Sequence, residues 1–360
     1  MSLVYYSLII IFYFLGIFEI LIKKHQKKYL YIIATILLII FVGFKKEGGT
    51  DFINYKEIYE SIDIKHALNT GSFEPIFTLL MFIVRVFGGG FALFYLLIAF
   101  INFPIKVNIF KKLTPYLFPA LLIYFVGLFF ERDNDGIRQG LAIGFSYLSI
   151  PFLLVNDKRK FILINIIASL IHYSSIIFFI SYFLNKIHIK NKTVFVIIIC
   201  SLFIPLLNLS LFDFVIKLIP IPVVTTKLNY YANDAVYSSS LGINIGMIFR
   251  IVILFLFIYY YRYIKIDNKL FIFLRNGFAF GIFLALLFSN FEILAHRGAY
   301  VFRELQIFII PYFLTIYKKK SNKIILLTIV FLYSIFLLKR FLSGENSASY
   351  LMYDNYLFFI

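Results

Sequence analysis

Two short motifs in this sequence carry side chains that could bind a phosphate and move a proton. In Ile137-Arg-Gln-Gly-Leu-Ala142, Arg138 stands where an apolar segment begins. A guanidinium can hold phosphate oxygens with two parallel hydrogen bonds, and a helix N-terminus adds backbone N–H donors at the same place. In Ala168-Ser-Leu-Ile-His-Tyr-Ser-Ser175, His172 lies in the middle of an apolar stretch. Histidine titrates near neutral pH, so it can serve as a general base.

Both motifs also have a structural interpretation. Arg138 could contact a lipid headgroup or pair with Asp133 or Asp135 nearby in the sequence. His172 could be a packing residue bonded to a serine of its own motif, because polar side chains often join membrane helices.

Carboxylates and a tyrosine extend the set of candidates. The segment Gly48-Gly-Thr-Asp-Phe-Ile-Asn-Tyr55 combines turn glycines with Asp51 and Tyr55. Glu74 and Glu292 also precede apolar stretches. A carboxylate near an aromatic ring suits a sugar hydroxyl and the face of a sugar ring, so we predict Tyr55 as a binding residue. The predicted catalytic candidates are His172 and the carboxylates of Asp51, Glu74 and Glu292. A solvated loop is the alternative for Asp51 and Tyr55.

Further arginines fall outside the basic clusters of the chain. These are Arg132, Arg250, Arg297 and Arg303, which with Arg138 form the predicted substrate-binding set. Arg250 lies about 10 Å into its span at 1.5 Å per residue, where ionisable groups are functional candidates unless they snorkel to the surface. Several outward arginines favour a pyrophosphate over a carboxylate. The chain has no HExxH, GxSxG or CxxC pattern, so we expect neither metal nor cofactor.

The composition requires a membrane around these residues. Hydrophobic residues make up 62% of the 360 and charged residues only 15%, whereas soluble domains carry about a quarter charged. The net charge of +17 does not indicate nucleic acid, because most lysines form short clusters between apolar runs, as in cytoplasmic loops. Residues 1–22 are expected to form an uncleaved first span, since they have no basic start and no small-residue cleavage site.

Apolar runs near the length of about 20 residues that a span requires predict an all-α, polytopic membrane protein with a single transmembrane domain. We predict ten spans: 3–22, 29–44, 91–110, 115–130, 137–155, 193–209, 243–262, 270–289, 299–317 and 323–338. Two further stretches, 75–88 and 161–184, fit less well.

The basic clusters fix the predicted orientation. Lysines at 23–28 place the first loop in the cytoplasm, and later clusters keep to that side only if 75–88 is re-entrant or interfacial and 161–184 is broken near His172. An extra crossing at 209–222 is the alternative to the broken helix. Broken helices at membrane depth line cavities or are buried in protein. The outward loops are then 45–74, 131–138, 210–242 and 290–298.

The motifs resemble those of the EpsG-like group of bacterial polysaccharide polymerases, the Wzy-type O-antigen and capsule polymerases. The resemblance rests on Gly49-Thr-Asp51 with Asn54-Tyr55, on Glu74-Pro75, and on the Arg138 and His172 motifs in that order, over roughly residues 45–185. Over the rest of the chain it rests on hydropathy.

The resemblance implies a glycosyltransferase of the bacterial cytoplasmic (inner) membrane with its active site outside. It would move a glycan from undecaprenyl pyrophosphate onto the next lipid-linked repeat unit, with a chain-length regulator and a flippase as further partners and no nucleic acid. Arg138 and Arg297 would hold the pyrophosphate. The alternatives are a lipid-linked oligosaccharide flippase, expected to show two related halves, and an O-antigen ligase, which differs in its acceptor.

Overall fold

Helices dominate the computed structural model, which describes residues 2–61, 74–207, 243–290, 298–344 and 347–357. In chain order the α-helices are α1 (Ser2–Leu21), α2 (Lys27–Gly43), α3 (Phe52–Ser61), α4 (Pro75–Val86), α5 (Phe91–Leu113), α6 (Leu117–Tyr124), α7 (Ile137–Leu148), α8 (Ile150–Leu154), α9 (Lys158–Ile171), α10 (Ser181–Leu184), α11 (Asn191–Ser201), α12 (Phe203–Leu206), α13 (Ile245–Tyr259), α14 (Asn268–Leu287), α15 (Tyr300–Arg303), α16 (Gln306–Ile309), α17 (Lys320–Leu342) and α18 (Ser347–Leu351).

Tighter and wider helical turns connect several of these helices. The 3-10 turns are Lys24–Gln26, Tyr173–Ile180, Tyr260–Arg262 and Ile310–Ile316, and a π-helix covers Phe125–Asp133. Among the described residues the β-structure is one antiparallel ribbon, which pairs β1 (Lys45–Glu47) with β2 (Asp354–Asn355).

Seven helical segments of the described chain are long and apolar enough to cross a membrane. They are Leu3–Leu21, Lys24–Gly43, Phe91–Leu113, Ile137–Leu154, Ile245–Arg262, Asn268–Leu287 and Lys320–Leu342. The predicted all-α, polytopic membrane fold is therefore confirmed. Only 22% of the span Lys320–Leu342 is buried in the protein, against 78% of Asn268–Leu287. The first span therefore directs most of its apolar surface away from the protein, whereas the second belongs to a core.

Three of the ten predicted spans are helical but interrupted. Residues 115–130 change from α6 into the π-helix. The described part of 193–209, which ends at residue 207, divides into α11 and the short α12, which contains Pro205. Residues 299–317 divide into two single turns and a 3-10 segment that contains Pro311. Proline lacks an N–H for the helical ladder, and apolar length alone does not reveal such interruptions.

The two segments that were predicted not to be straight spans differ in outcome. The stretch 75–88 contains a helix of 12 residues, Pro75–Val86, which is short for a span. The helix that starts at Lys158 ends at Ile171, where His172 takes an extended conformation with φ −154° and ψ 120° before the 3-10 turns begin. The predicted break near His172 is thus confirmed, while the re-entrant path of 75–88 stays a prediction.

Contacts group the chain into two compact units, Met1–Ile176 with Ile310–Ile360 and Ile177–Ile309. The prediction of a single transmembrane domain is not decided by this grouping. In the first unit, the C-terminal segment is tied down by the ribbon and by the Tyr5 hydroxyl, which donates to the Tyr350 carbonyl at 2.8 Å. A cluster of aromatic rings that includes Phe41 and Tyr353, stacked at 4.6 Å, fills the space behind the ribbon.

Candidate functional site

A buried carboxylate joins the two sequence motifs in the first unit. Oε1 of Glu74 lies 2.5 Å from Nδ1 of His172, and Oε2 accepts a hydrogen bond from Nη1 of Arg138 at 3.0 Å. Nε of Arg138 donates to the Tyr55 hydroxyl at 3.2 Å. The backbone N–H of Tyr173 adds a third donor to Glu74, at 3.3 Å. We call Glu74, Arg138, His172 and Tyr55 the bridged cluster.

Three members of the cluster stand at a helix end or a helix break. Glu74 precedes Pro75, whose fixed φ suits the first position of α4. Arg138 is in the first turn of α7, and His172 follows the last residue of α9. Helix α9 packs against both α7 and α4, so residues far apart in the sequence converge. The break at His172 turns its imidazole towards Glu74 rather than along a continuous helix.

Burial differs across the bridged cluster. The Glu74 side chain is 6% exposed, whereas those of Arg138 and His172 are 24% and 20% exposed. Burial raises the pKa of Glu74, but the hydrogen bond and charge of His172 and the charge of Arg138 outweigh it and lower the pKa to about 2. Burial raises the pKa of Tyr55 to about 12. The cluster therefore holds a buried anion beneath two partly exposed basic groups.

This arrangement can transfer a proton and bind a second anion. With Nδ1 of His172 directed at Glu74, Nε2 is the ring nitrogen left for another partner. A carboxylate at Nδ1 fixes the orientation of the ring, as in hydrolytic triads. Beside it, the Gln139 amide donates to the Ser174 hydroxyl at 3.3 Å, which is a direct bond between the two motifs.

Arg138 has a different carboxylate partner from the two considered in the sequence. Asp133 accepts from Lys106, from the Asn102 amide at 2.5 Å and from the Tyr124 hydroxyl at 2.5 Å, all in the protein interior. The partner of Arg138 is Glu74, and Asp133 instead anchors the end of the π-helix just before α7. A buried ion pair with added hydrogen bonds holds such a junction in place.

Asp135 fixes the loop that contains Asp51. Its carboxylate accepts from the Thr50 hydroxyl at 2.6 Å, from the Asp51 backbone N–H at 2.8 Å and from the Tyr350 hydroxyl at 2.8 Å. Gly49 has φ +93°, and a Cβ there would lie 2.5 Å from the Asp135 carboxylate. The Gly-Thr-Asp motif therefore holds this loop against the start of α7.

Asp51 lies near the bridged cluster, and its charge acts on both Arg138 and Lys45. Lys45 is 1% exposed, donates to the Asn134 carbonyl and lies under the rings of Phe52 and Tyr95. Burial lowers its pKa to about 8, against the opposing charges of Asp135 and Asp51. A second cationic position therefore adjoins the cluster.

Arg132 contacts its neighbour Glu131, with Nη2 3.6 Å from a carboxylate oxygen. Its carbonyl faces Gly140 of the Arg-Gln-Gly motif, where a Cβ would come within 2.6 Å of that oxygen. The glycine lets α7 begin directly against the preceding turn, which is the position that Arg138 requires.

Arg250 and Arg303 lie in the second unit and share one carboxylate. Nη2 of Arg250 lies 3.1 Å from Oε1 of Glu304, and Nε of Arg303 lies 3.5 Å from the same oxygen. The Gln306 amide donates to Oε2 at 2.9 Å. Arg250 therefore forms an ion pair with a buried carboxylate instead of extending its charged group to the membrane surface.

Glu292 and Arg297 lie outside the described residues. Among the residues that are described, no group of three or more His, Cys, Asp or Glu side chains could hold a metal ion.

Sequence reasoning missed Lys45, Lys106 and the roles of Glu304 and Gln306. Lys106 carried a usable signal, because it lies within an apolar run and a lysine there requires a partner. Lys45 follows directly after a span and reads as an ordinary loop lysine, so its burial under two rings could not be foreseen.

Comparison with known proteins places these features in a family. The EpsG family model matches residues 28–355. The amylovoran biosynthesis protein AmsC of Erwinia amylovora is 24% identical to this chain over 152 residues, which is 40% of each protein. The chain thus covers less than half of that relative. No solved structure matches.

Proposed function

The chain belongs to the EpsG family, and we propose that it is a polysaccharide polymerase that joins lipid-linked repeat units. It would transfer a glycan from undecaprenyl pyrophosphate to the next lipid-linked unit, on the outer face of the cytoplasmic membrane. The name of the relative, an amylovoran biosynthesis protein, supports a role in polysaccharide biosynthesis.

The observation that carries the proposal is the bridge from His172 through Glu74 to Arg138. Glycan transfer needs a base for the acceptor hydroxyl and positive charge for a pyrophosphate leaving group. The bridged cluster offers both functions on adjacent, partly exposed side chains above one buried carboxylate.

In the proposed reaction, the acceptor hydroxyl oxygen attacks the anomeric carbon of the donor sugar. The bond from that carbon to the pyrophosphate oxygen breaks, and the lipid pyrophosphate leaves with the electron pair. Nε2 of His172 takes the hydroxyl proton, while Glu74 keeps the ring oriented through Nδ1. The guanidinium of Arg138 faces the negative charge that develops on the leaving group.

Two neighbours would assist substrate binding. Tyr55, bonded to Arg138 at 3.2 Å, is itself buried and would assist by fixing the plane of the guanidinium. Asp51 borders the same region and would accept hydrogen bonds from the acceptor hydroxyl groups, while Lys45 contributes positive charge from its buried position behind it.

The outward orientation is supported by charge. The lysines at 23–28 and at 111–112 lie at the opposite ends of α2 and α5 from β1 and Gly90. If the lysine-rich ends are cytoplasmic, the bridged cluster, which adjoins β1 and its loop, faces outward.

Deletion of the gene followed by gel analysis of surface glycan tests the proposal. A polymerase mutant retains single repeat units and loses the ladder of longer chains. Loss of every repeat unit from the surface would instead indicate a flippase or a ligase.

A further inference from the structure

A large open cavity lies in the first unit, between α2 and α5 and away from the bridged cluster. Its volume is about 990 Å³. Its lining includes four lysines and an apolar wall on α2, namely Lys24, Lys27, Lys28, Lys111, Ile32 and Ile36. We call this cavity the basic groove.

The groove exists because α2 and α5 are close at one end and open at the other. At the end near β1, Gly43 allows close contact, and a Cβ there would lie 2.8 Å from a methyl group of Leu96. Towards the opposite end, the facing side chains include the small Thr35 of α2 and, on α5, Pro104 and Asn108. The space left between the helices opens beside the lysine-rich loops.

Lys24, Lys27, Lys28 and Lys111 line the groove, and none of them forms a salt bridge with a residue that the structure describes. The neighbouring carboxylate, Glu19, is fully buried. It accepts from the Tyr31 hydroxyl at 2.9 Å and from two backbone N–H groups of α6, at 2.8 and 3.1 Å. The mouth of the groove therefore carries positive charge that the protein itself leaves largely uncompensated.

Below the lysines the walls are apolar. Ile32 and Ile36 of α2 are 53% and 49% exposed, and Val107 and Pro104 face them from α5. A free inorganic anion would gain nothing from such walls. An amphiphile with an anionic head and a hydrocarbon tail would match both parts, because lysines attract the head and isoleucines contact the tail.

We propose that the basic groove binds an anionic phospholipid of the cytoplasmic leaflet, with its phosphate among the four lysines and an acyl chain along Ile32 and Ile36. The lysine clusters predict that this end of α2 and α5 is cytoplasmic. This site is separate from the proposed catalytic residues and does not depend on their role.

The absence of tryptophan from the chain allows a clean test. The variant Ile36→Trp introduces a single tryptophan on the apolar wall of the groove, whose emission can be excited selectively over that of the 27 tyrosines. The full-length protein is placed in lipid vesicles that contain increasing fractions of lipid with brominated acyl chains, either phosphatidylglycerol or phosphatidylcholine. Bromine quenches a tryptophan that it contacts, so the specific signal is a difference between the two lipids at position 36 that exceeds the difference for bulk lipid. The matched control is Ile329→Trp, since Ile329 is 56% exposed on α17 and does not line the groove.

The proposal predicts that brominated phosphatidylglycerol quenches the Ile36→Trp variant at a lower fraction than brominated phosphatidylcholine, by at least about fivefold. One lysine near the headgroup is worth about 1 kcal/mol, or about fivefold in affinity. The preference should fall by about fivefold or more, towards equal quenching by the two lipids, in Lys28→Gln/Lys111→Gln and persist in Lys318→Gln/Lys319→Gln, which removes the same charge elsewhere.

Equal quenching by both lipids at position 36, or the same preference at position 329, would overturn the proposal. So would a preference that survives Lys28→Gln/Lys111→Gln. Loss of the preference on adding millimolar inorganic phosphate would identify a small-anion site instead. If the double variant fails to fold, the comparison between positions 36 and 329 still decides.

Discussion

Nδ1 of His172 lies 2.5 Å from Oε1 of Glu74, although 98 residues separate them in the chain. The contact exists because α9 ends one residue before the histidine and α4 begins one residue after the glutamate. Two interruptions of the helical pattern thus meet, and Arg138 adds a third element to the same carboxylate.

Replacing Glu74 with glutamine should reduce polymer synthesis by about a hundredfold, the lower range for loss of acid–base assistance. The amide has no charge, so it cannot form an ion pair with Arg138 and gives His172 a weaker hydrogen-bond partner than the carboxylate. The measurement is polymer yield per milligram of protein from lipid-linked repeat units. Glu60→Gln, on the exposed side of α3, should remain active. Equal activity of the Glu74 and Glu60 variants would contradict the role given to Glu74.

Arg138→Lys should lose nearly as much activity as Arg138→Ala. The guanidinium donates to Glu74 and Tyr55 from different nitrogens, and a single ammonium group cannot reproduce that planar geometry. Arg159→Lys, in the exposed first turn of α9, is the matched conservative change and should have little effect. A fully active Arg138→Lys enzyme would show that charge alone suffices at this position.

Stability should depend on pH through Glu74. Its folded-state pKa of about 2 lies below the ordinary value of 4.5, so the folded protein binds fewer protons than the unfolded chain between these values. The stabilisation is complete above about pH 5 and is lost as the pH falls towards 2. Thermal unfolding in detergent should therefore show a gap between wild type and Glu74→Gln that narrows from about pH 6 to about pH 3. A gap that stays constant or widens would argue against an ionised Glu74.

Gly140→Ala should destabilise the protein by about 1–3 kcal/mol, the usual cost of overpacking. The added Cβ would lie 2.6 Å from the Arg132 carbonyl oxygen, which cannot move without shifting the start of α7. Gly90→Ala is the control, because a Cβ there meets nothing within 4 Å. The readout is the midpoint of thermal unfolding, and similar midpoints for both variants would refute the packing argument.

Much of the architecture was accessible from the sequence. Apolar runs and basic clusters predicted the membrane fold, and the parity of the basic loops predicted the break near His172, which is found at that residue. The interruptions near 125–133 and 304–311 were not accessible, because a π-helix and 3-10 turns preserve the same apolar composition as a continuous span.

The residues of the site could be predicted from the sequence, but their contacts could not. Glu74, Arg138, His172 and Tyr55 were all candidates, and the structure brings these four together. The choice of Glu74 over Asp133 as the partner of Arg138 depends on Lys106, Asn102 and Tyr124, which occupy Asp133 from another helix and from the preceding turn. Such competition between carboxylates is decided by tertiary packing, which sequence spacing does not encode.

The most direct test of the proposed catalytic role is the glycan ladder of a strain that lacks this gene and carries His172→Gln. A strain with His188→Gln, an exposed histidine outside the cluster, serves as the control, with both proteins at equal levels in the membrane. The His172→Gln strain should make single repeat units and no ladder, and the His188→Gln strain should make a full ladder. A full ladder with His172→Gln would contradict the catalytic role of His172.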